Sequence, residues 1–185
     1  MPAWVQGAGG PIVTVIAYSS KHRILAADSR CSDSLGMHIT SCQKLFRLRN
    51  GALVGTAGDS DDRDVRELLS RATPRKLPTR AQLAETKSQF YAILVFPKGQ
   101  VFTVDIWHRE FDHEGEWAAC VDAIRDEIVA VGCGAQFAYG AMEVGATPVE
   151  AVRAACRRDT ACALPVQWES IGSPSASTPK RERTA

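Results

Sequence analysis

The chain has 185 residues, 22 basic against 21 acidic side chains, a net charge of +1 and a hydrophobic share of 45%. That balance gives no reason to expect nucleic acid or an anionic membrane as a partner, and the length suits one domain with a substantial core. No apolar run approaches the roughly 20 residues that cross a bilayer, and MPAWVQGAGG at the start lacks the charged-then-apolar order of a signal peptide.

Six cysteines are present, at positions 31, 42, 120, 133, 156 and 162. None falls in a C-x-x-C pair or at zinc spacing, so the expectation is reduced thiols in a cytosolic compartment, without a disulfide framework. No metal and no cofactor is expected from these spacings.

Residues 1–11 read as a Gly-rich extension. Val13–Tyr18 and Arg23–Ala27 are apolar or β-branched runs joined by the polar SSKH, a hairpin. Their near-continuous apolarity predicts strands covered on both faces. Lys44–Arg49 and Ala52–Ala57 form a second hairpin about Asn50-Gly51, a strong turn pair. Gly58 and the acidic run after it open a helix over Asp61–Arg71, where carboxylates suit the positive end of the helix dipole. Thr73–Thr79 is a Pro-broken connection.

Phe90–Phe96 and Val101–Trp107 make a third hairpin around Pro97-Lys98-Gly99. His108–Glu116 reads as a polar, irregular loop. His108, Glu110, Asp112 and His113 are metal-capable residue types there, but a solvated loop is the expectation. Ile128–Val131 is a strand running into Gly132-Cys133-Gly134. Two helices follow, Gln136–Val144 and Thr147–Asp159. The second starts on a capping box, with Thr147 as cap, Pro148 at the first position and Glu150 three residues on. Leu164–Ser170 closes as a strand, and residues 172–185 form a polar tail. Strands in hairpins with fewer helices predict antiparallel sheets covered by helices, an α+β domain.

LAADSR (25–30), QKLFRL (43–48), VGTAGD (54–59), AVGCGAQFAYGAMEVGATPVEAV (130–152) and RRDTACALPVQW (157–168), in this order and spacing, resemble the proteasome β-type family. That family includes the HslV-type peptidase and small proteasome-like proteins of phages and bacteria. The match covers about residues 12–171. It implies a four-layer αββα sandwich of the N-terminal nucleophile hydrolase type. The outer helical layer is expected to be shortened, because residues 72–88 are few and hold Pro74 and Pro78.

In such enzymes a terminal threonine supplies the hydroxyl and its own α-amine is the base, with a pKa near 8 that suits neutral conditions. The resemblance assigns Lys44 as the cation beside that hydroxyl, Asp28 as the carboxylate orienting it, Gly58 as the oxyanion residue and Asp159 as a further carboxylate. Cys133 and Cys162 stand where relatives usually carry serines near the amine, and a thiol is a weaker hydrogen-bond donor.

The nucleophile position is open between two residues. Counting back from Asp28 without gaps reaches Ile12, which has no hydroxyl. A hairpin two residues shorter brings Thr14 there instead and preserves strand facing. Thr14 is preceded by Val13, whereas self-cleavage in active relatives usually follows glycine.

Two functions are therefore expected. The first is an unprocessed, non-proteolytic structural or assembly subunit, with a phage virion or connector component as one form. The second is a threonine endopeptidase matured to Thr14. Both imply a homo-oligomer or larger protein assembly, and the peptidase implies an unfoldase partner. The compartment expected is the cytoplasm, or the virion for a phage protein.

Overall fold

The computed structural model describes residues 14–32, 38–39, 42–58, 63–109, 116–172 and 180–181. In chain order the strands and helices are β1 (Ile16–Ser19), β2 (Ile24–Ala27), β3 (Cys31–Ser32), β4 (His38–Ile39), β5 (Leu45–Arg47), β6 (Leu53–Gly58), α1 (Arg63–Ser70), α2 (Arg80–Ala84), β7 (Phe90–Val95), β8 (Val101–Arg109), β9 (Glu116–Ile124), β10 (Ile128–Val131), α3 (Ala135–Glu143), α4 (Pro148–Arg158), β11 (Gln167–Ser170) and β12 (Lys180–Arg181). Among the described residues they form two antiparallel five-stranded sheets, ordered β10-β1-β2-β11-β12 and β5-β6-β7-β8-β9, and the small β3-β4 pair. The chain is thus an α+β protein. No helix among the described residues is long and apolar enough to cross a membrane.

Strand periodicity explains how the layers stack. Alternate residues of a strand face opposite sides, and in β1 and β7 both sides are apolar. From β1, Ile16 and Tyr18 join Leu25, Leu45, Leu53, Ile93 and Val95 in a core between the two sheets. Ala17, with Ala26 and Ala130 of the neighbouring strands, faces α3 and α4 and meets Ala138, Ala151, Val152 and Ala155. Small side chains on both partners let these helices lie close on the sheet. On the far side, Ala92 and Leu94 of β7 meet Val65 and Leu69 of α1 and Leu83 of α2. Gly55 lies where the two sheets press together: a Cβ there would stand 2.7 Å from the Ile16 Cγ2.

The strands expected from hairpin patterns are present, with ends shifted by a few residues. Three sequence expectations change. The stretch 108–116 is not one loop: His108 and Arg109 extend β8, and Glu116 opens β9. The pairing of Arg109 with Glu116 makes a long β-hairpin, and the His108 ring lies 5.2 Å from the Trp117 ring. Glu110, Asp112 and His113 lie outside the described residues, as do the acidic residues before Arg63 and the tail over 173–179. The Pro-containing connection ends in a short helix, α2, nucleated by a capping box between Thr79 and Gln82. Finally, Cys31 and Cys42 are joined by a disulfide, their Cα atoms 6.0 Å apart, which corrects the expectation of six free thiols. Cys120, Cys133, Cys156 and Cys162 are thiols.

Candidate functional site

Thr14 precedes β1, Asp28 follows β2, and Lys44 precedes β5. Three strand ends on two facing sheets therefore supply one site at one edge of the inter-sheet core. The Lys44 ammonium donates to the Thr14 hydroxyl oxygen and, over 2.7 Å, to Asp28 Oδ1. All three residues are buried: Thr14 is 2% exposed, Asp28 0% and Lys44 4%.

Asp28 is held by more than the lysine. Its Oδ1 accepts the Val15 N–H at 3.1 Å, and its Oδ2 accepts the N–H groups of Arg30 at 3.0 Å and Ala163 at 3.1 Å. A buried carboxylate requires such donors, and here it has four. The Ala163 bond ties the carboxylate to the segment that carries Cys162. Backbone pairing adds to this: Asp28 N–H donates to Val15 O at 3.1 Å, and Thr56 N–H donates to Lys44 O at 2.8 Å.

Gln167, which sequence reasoning did not single out, braces the same site. It is fully buried on β11. Its Oε1 accepts the Lys44 N–H at 3.1 Å, and its Nε2 donates to Ser29 Oγ at 2.8 Å and to Asp28 O at 3.4 Å. Ser29 Oγ in turn donates to Pro165 O at 2.6 Å. The one sequence signal was a glutamine within the otherwise apolar LPVQW of a closing strand.

The backbone of Thr14 meets the loop after β10. Thr14 N–H donates to Cys133 Sγ at 3.3 Å, Cys133 Sγ lies 3.2 Å from Thr14 O, and Gly134 N–H donates to Thr14 O at 3.3 Å. Gly132 has φ 96, and a Cβ on it would fall 2.2 Å from Thr14 O. Glycine is required there for both conformation and space. Gly134 makes room in the same way, since its Cβ would lie 2.8 Å from Cys162 Sγ.

Cys133 Sγ and Cys162 Sγ are 3.8 Å apart. One ligand-type atom from each of Cys133, Cys162 and Asp159 lies within 4.8 Å of the others. The pair polarises unequally. A hydrogen bond from Cys162 holds the Cys133 thiol below the usual thiol range, and sharing with Cys133, together with burial, pushes the Cys162 thiol up. Asp159 ends α4, with its N–H on Ala155 O at 2.8 Å and its Oδ1 accepting Ala161 N–H at 2.8 Å.

The residues singled out in the sequence thus separate into groups. Thr14, Asp28 and Lys44 are in direct contact. Cys133, Cys162 and Asp159 cluster together, with Cys133 against the Thr14 backbone. Gly58 ends β6, with φ 122 and a Cβ position 2.1 Å from Gln89 O, so only glycine fits there. Ile12 lies outside the described residues. No protein-family model matches the sequence, and no curated protein shows significant similarity to it.

Proposed function

We propose that this chain is an N-terminal nucleophile hydrolase of the proteasome β and HslV type, a threonine peptidase whose nucleophile is Thr14 after release from residues 1–13. The observation that carries the reading is the buried Lys44 ammonium lying between the Thr14 hydroxyl and the Asp28 carboxylate. An apolar pair would close this edge of the core at lower desolvation cost, so folding alone does not call for a lysine here. A fixed cation against a threonine hydroxyl has a direct chemical use.

In this mechanism the freed α-amine of Thr14 takes the proton from Oγ1, and the oxygen attacks the scissile carbonyl carbon. Lys44 stays protonated and stabilises negative charge as it develops on the attacking oxygen. Asp28 keeps the ammonium aimed at Oγ1. Gly58 is the residue assigned to the oxyanion. The amine then passes its proton to the leaving nitrogen, an ester to Thr14 remains, and water attacks that ester with the amine again as base. Assembly into a homo-oligomer and service by an unfoldase follow from the same resemblance.

A second reading is supported by a different observation. In the intact chain Thr14 N is a peptide nitrogen bound to Cys133 Sγ, and an amide has no basic lone pair. An unprocessed chain would therefore be a non-proteolytic structural or assembly subunit.

Intact-protein mass spectrometry on native, assembled material, paired with hydrolysis of a fluorogenic peptide amide, tests both. The peptidase reading expects a mass beginning at Thr14, and loss of both trimming and hydrolysis in Thr14→Ala. Hydrolysis that survives Thr14→Ala sinks it. A mass beginning at Met1 or Pro2, without hydrolysis, leaves the structural reading.

A further inference from the structure

We propose that Cys133, Cys162 and Asp159 form a binding site for a thiophilic divalent cation of the zinc class. The Thr14 α-amine becomes the fourth donor once it is free. The sequence spacing of the two cysteines, 29 residues, hides this site, and the fold assembles it.

The geometry suits the ion. Two thiolates each about 2.3 Å from a tetrahedral zinc stand about 3.8 Å apart, and the two sulfurs here are separated by 3.8 Å. The Asp159 carboxylate lies within 4.8 Å of both sulfurs, and the Thr14 nitrogen is 3.3 Å from Cys133 Sγ. Two soft sulfurs, a carboxylate oxygen and an amine make a donor set for zinc, and hard cations such as magnesium favour oxygen alone. Cys162 is buried, and Cys133 and Asp159 are half-buried.

Binding needs no redox partner. Each thiol loses its proton to solvent as its sulfur–metal bond forms, and the metal keeps its oxidation state. The three side chains suffice for uptake in the intact chain, where Thr14 N is an amide and water completes the coordination. The consequence for catalysis rests on the peptidase reading: a metal that takes the amine lone pair removes the general base, so occupancy switches hydrolysis off and a chelator restores it.

Cobalt(II), followed by displacement with zinc(II), is the probe. It is used on full-length Thr14→Ala protein with the Cys31–Cys42 disulfide intact and Cys133 and Cys162 as thiols, a chain that retains all three donor side chains and needs no activity. The expected result is one equivalent of cobalt with thiolate-to-metal charge-transfer absorption, bleached by one equivalent of zinc. Cys133→Ser/Cys162→Ser should weaken that uptake by at least about 100-fold, while Cys120→Ser/Cys156→Ser keeps it. Asp159→Asn, which leaves both sulfurs in place, serves as a second variant, with circular dichroism reporting the fold of each. Absence of the charge-transfer band, or equal uptake by the Cys133/Cys162 double variant, overturns the site. Hydrolysis is read separately on the trimmed native chain. A rate unchanged at full zinc occupancy overturns the amine as fourth donor. Metal uptake by a chain that never hydrolyses peptides leaves the site standing and counts only against the peptidase reading.

Discussion

Lys44 Nζ and Asp28 Oδ1 are 2.7 Å apart, with the lysine side chain 6% exposed and the aspartate side chain 0%. The two partners are not equivalent. Asp28 also accepts three backbone N–H groups, from Val15, Arg30 and Ala163, so it joins the strands on either side of it as well as the lysine.

That asymmetry gives a first prediction. Lys44→Met removes the cation but leaves Asp28 three hydrogen bonds, and should cost about 3 kcal/mol. Asp28→Ala strands a buried ammonium and three N–H groups together, and should cost about 5 kcal/mol or prevent folding. Chemical denaturation of the two variants checks the order. A smaller loss in Asp28→Ala than in Lys44→Met would show that the carboxylate does not organise this site. On the peptidase reading, Lys44→Met also abolishes hydrolysis in protein that still folds.

A second prediction concerns Gln167. Replacing it with Leu keeps the volume but removes the acceptor of the Lys44 N–H and the donor to Ser29 Oγ, Asp28 O and Cys42 O. Each unsatisfied buried group costs about 1–3 kcal/mol, so Gln167→Leu should lose about 3 kcal/mol. Gln167→Glu retains an acceptor for Lys44 N–H but adds a second buried carboxylate close to Asp28, and should be worse still at neutral pH. Thermal melts of the two variants at pH 7 decide the point: if Gln167→Leu melts with the native chain, the brace is not structural.

The third prediction follows from Asp105 on β8. Burial pushes its carboxyl up to about 6, and among the described residues its buried Oδ1 has no hydrogen-bond partner. Opposite it on β9, Cys120 Sγ lies 3.6 Å from Oδ2, and the same burial pushes that thiol up to about 12. A carboxyl whose folded pKa lies above its unfolded value binds more protons in the folded state. Stability from this group is therefore present below about pH 4 and is lost as pH rises through about 6. Asp105→Asn should match the native chain near pH 4 and exceed it at pH 7.5, by no more than about 3 kcal/mol. Urea titrations at the two pH values measure the difference. A variant no more stable than the native chain at pH 7.5 would mean the ionised carboxylate carries no penalty.

How far the sequence could be read depended on the range of the interaction. Hairpin strands were legible in VTVIAY, RILAA and FYAILVF, because burial on both faces leaves an unbroken apolar run. The α4 start was legible in Thr147, Pro148 and Glu150, because a capping box is a contact between residues three apart. Strand β9 was missed. Its core-facing Trp117, Ala119 and Val121 alternate with Ala118, Cys120 and Asp122, and the adjacent alanines at 118 and 119 weaken the period. Helix α2 was missed because its five residues follow a proline-rich stretch, and its cap was the one cue.

The sequence by itself determined the short-range features: which apolar runs pair as hairpins and where α4 starts. Only the tertiary structure decided what meets what. It brought Lys44 to Thr14 across 30 residues, Gln167 to Lys44 across 123 and Cys133 to Cys162 across 29, and it joined Cys31 to Cys42. The physical reason is that local propensity and periodicity act over a turn or a strand, whereas these contacts form only when two sheets pack face to face and carry distant strand ends to a common edge.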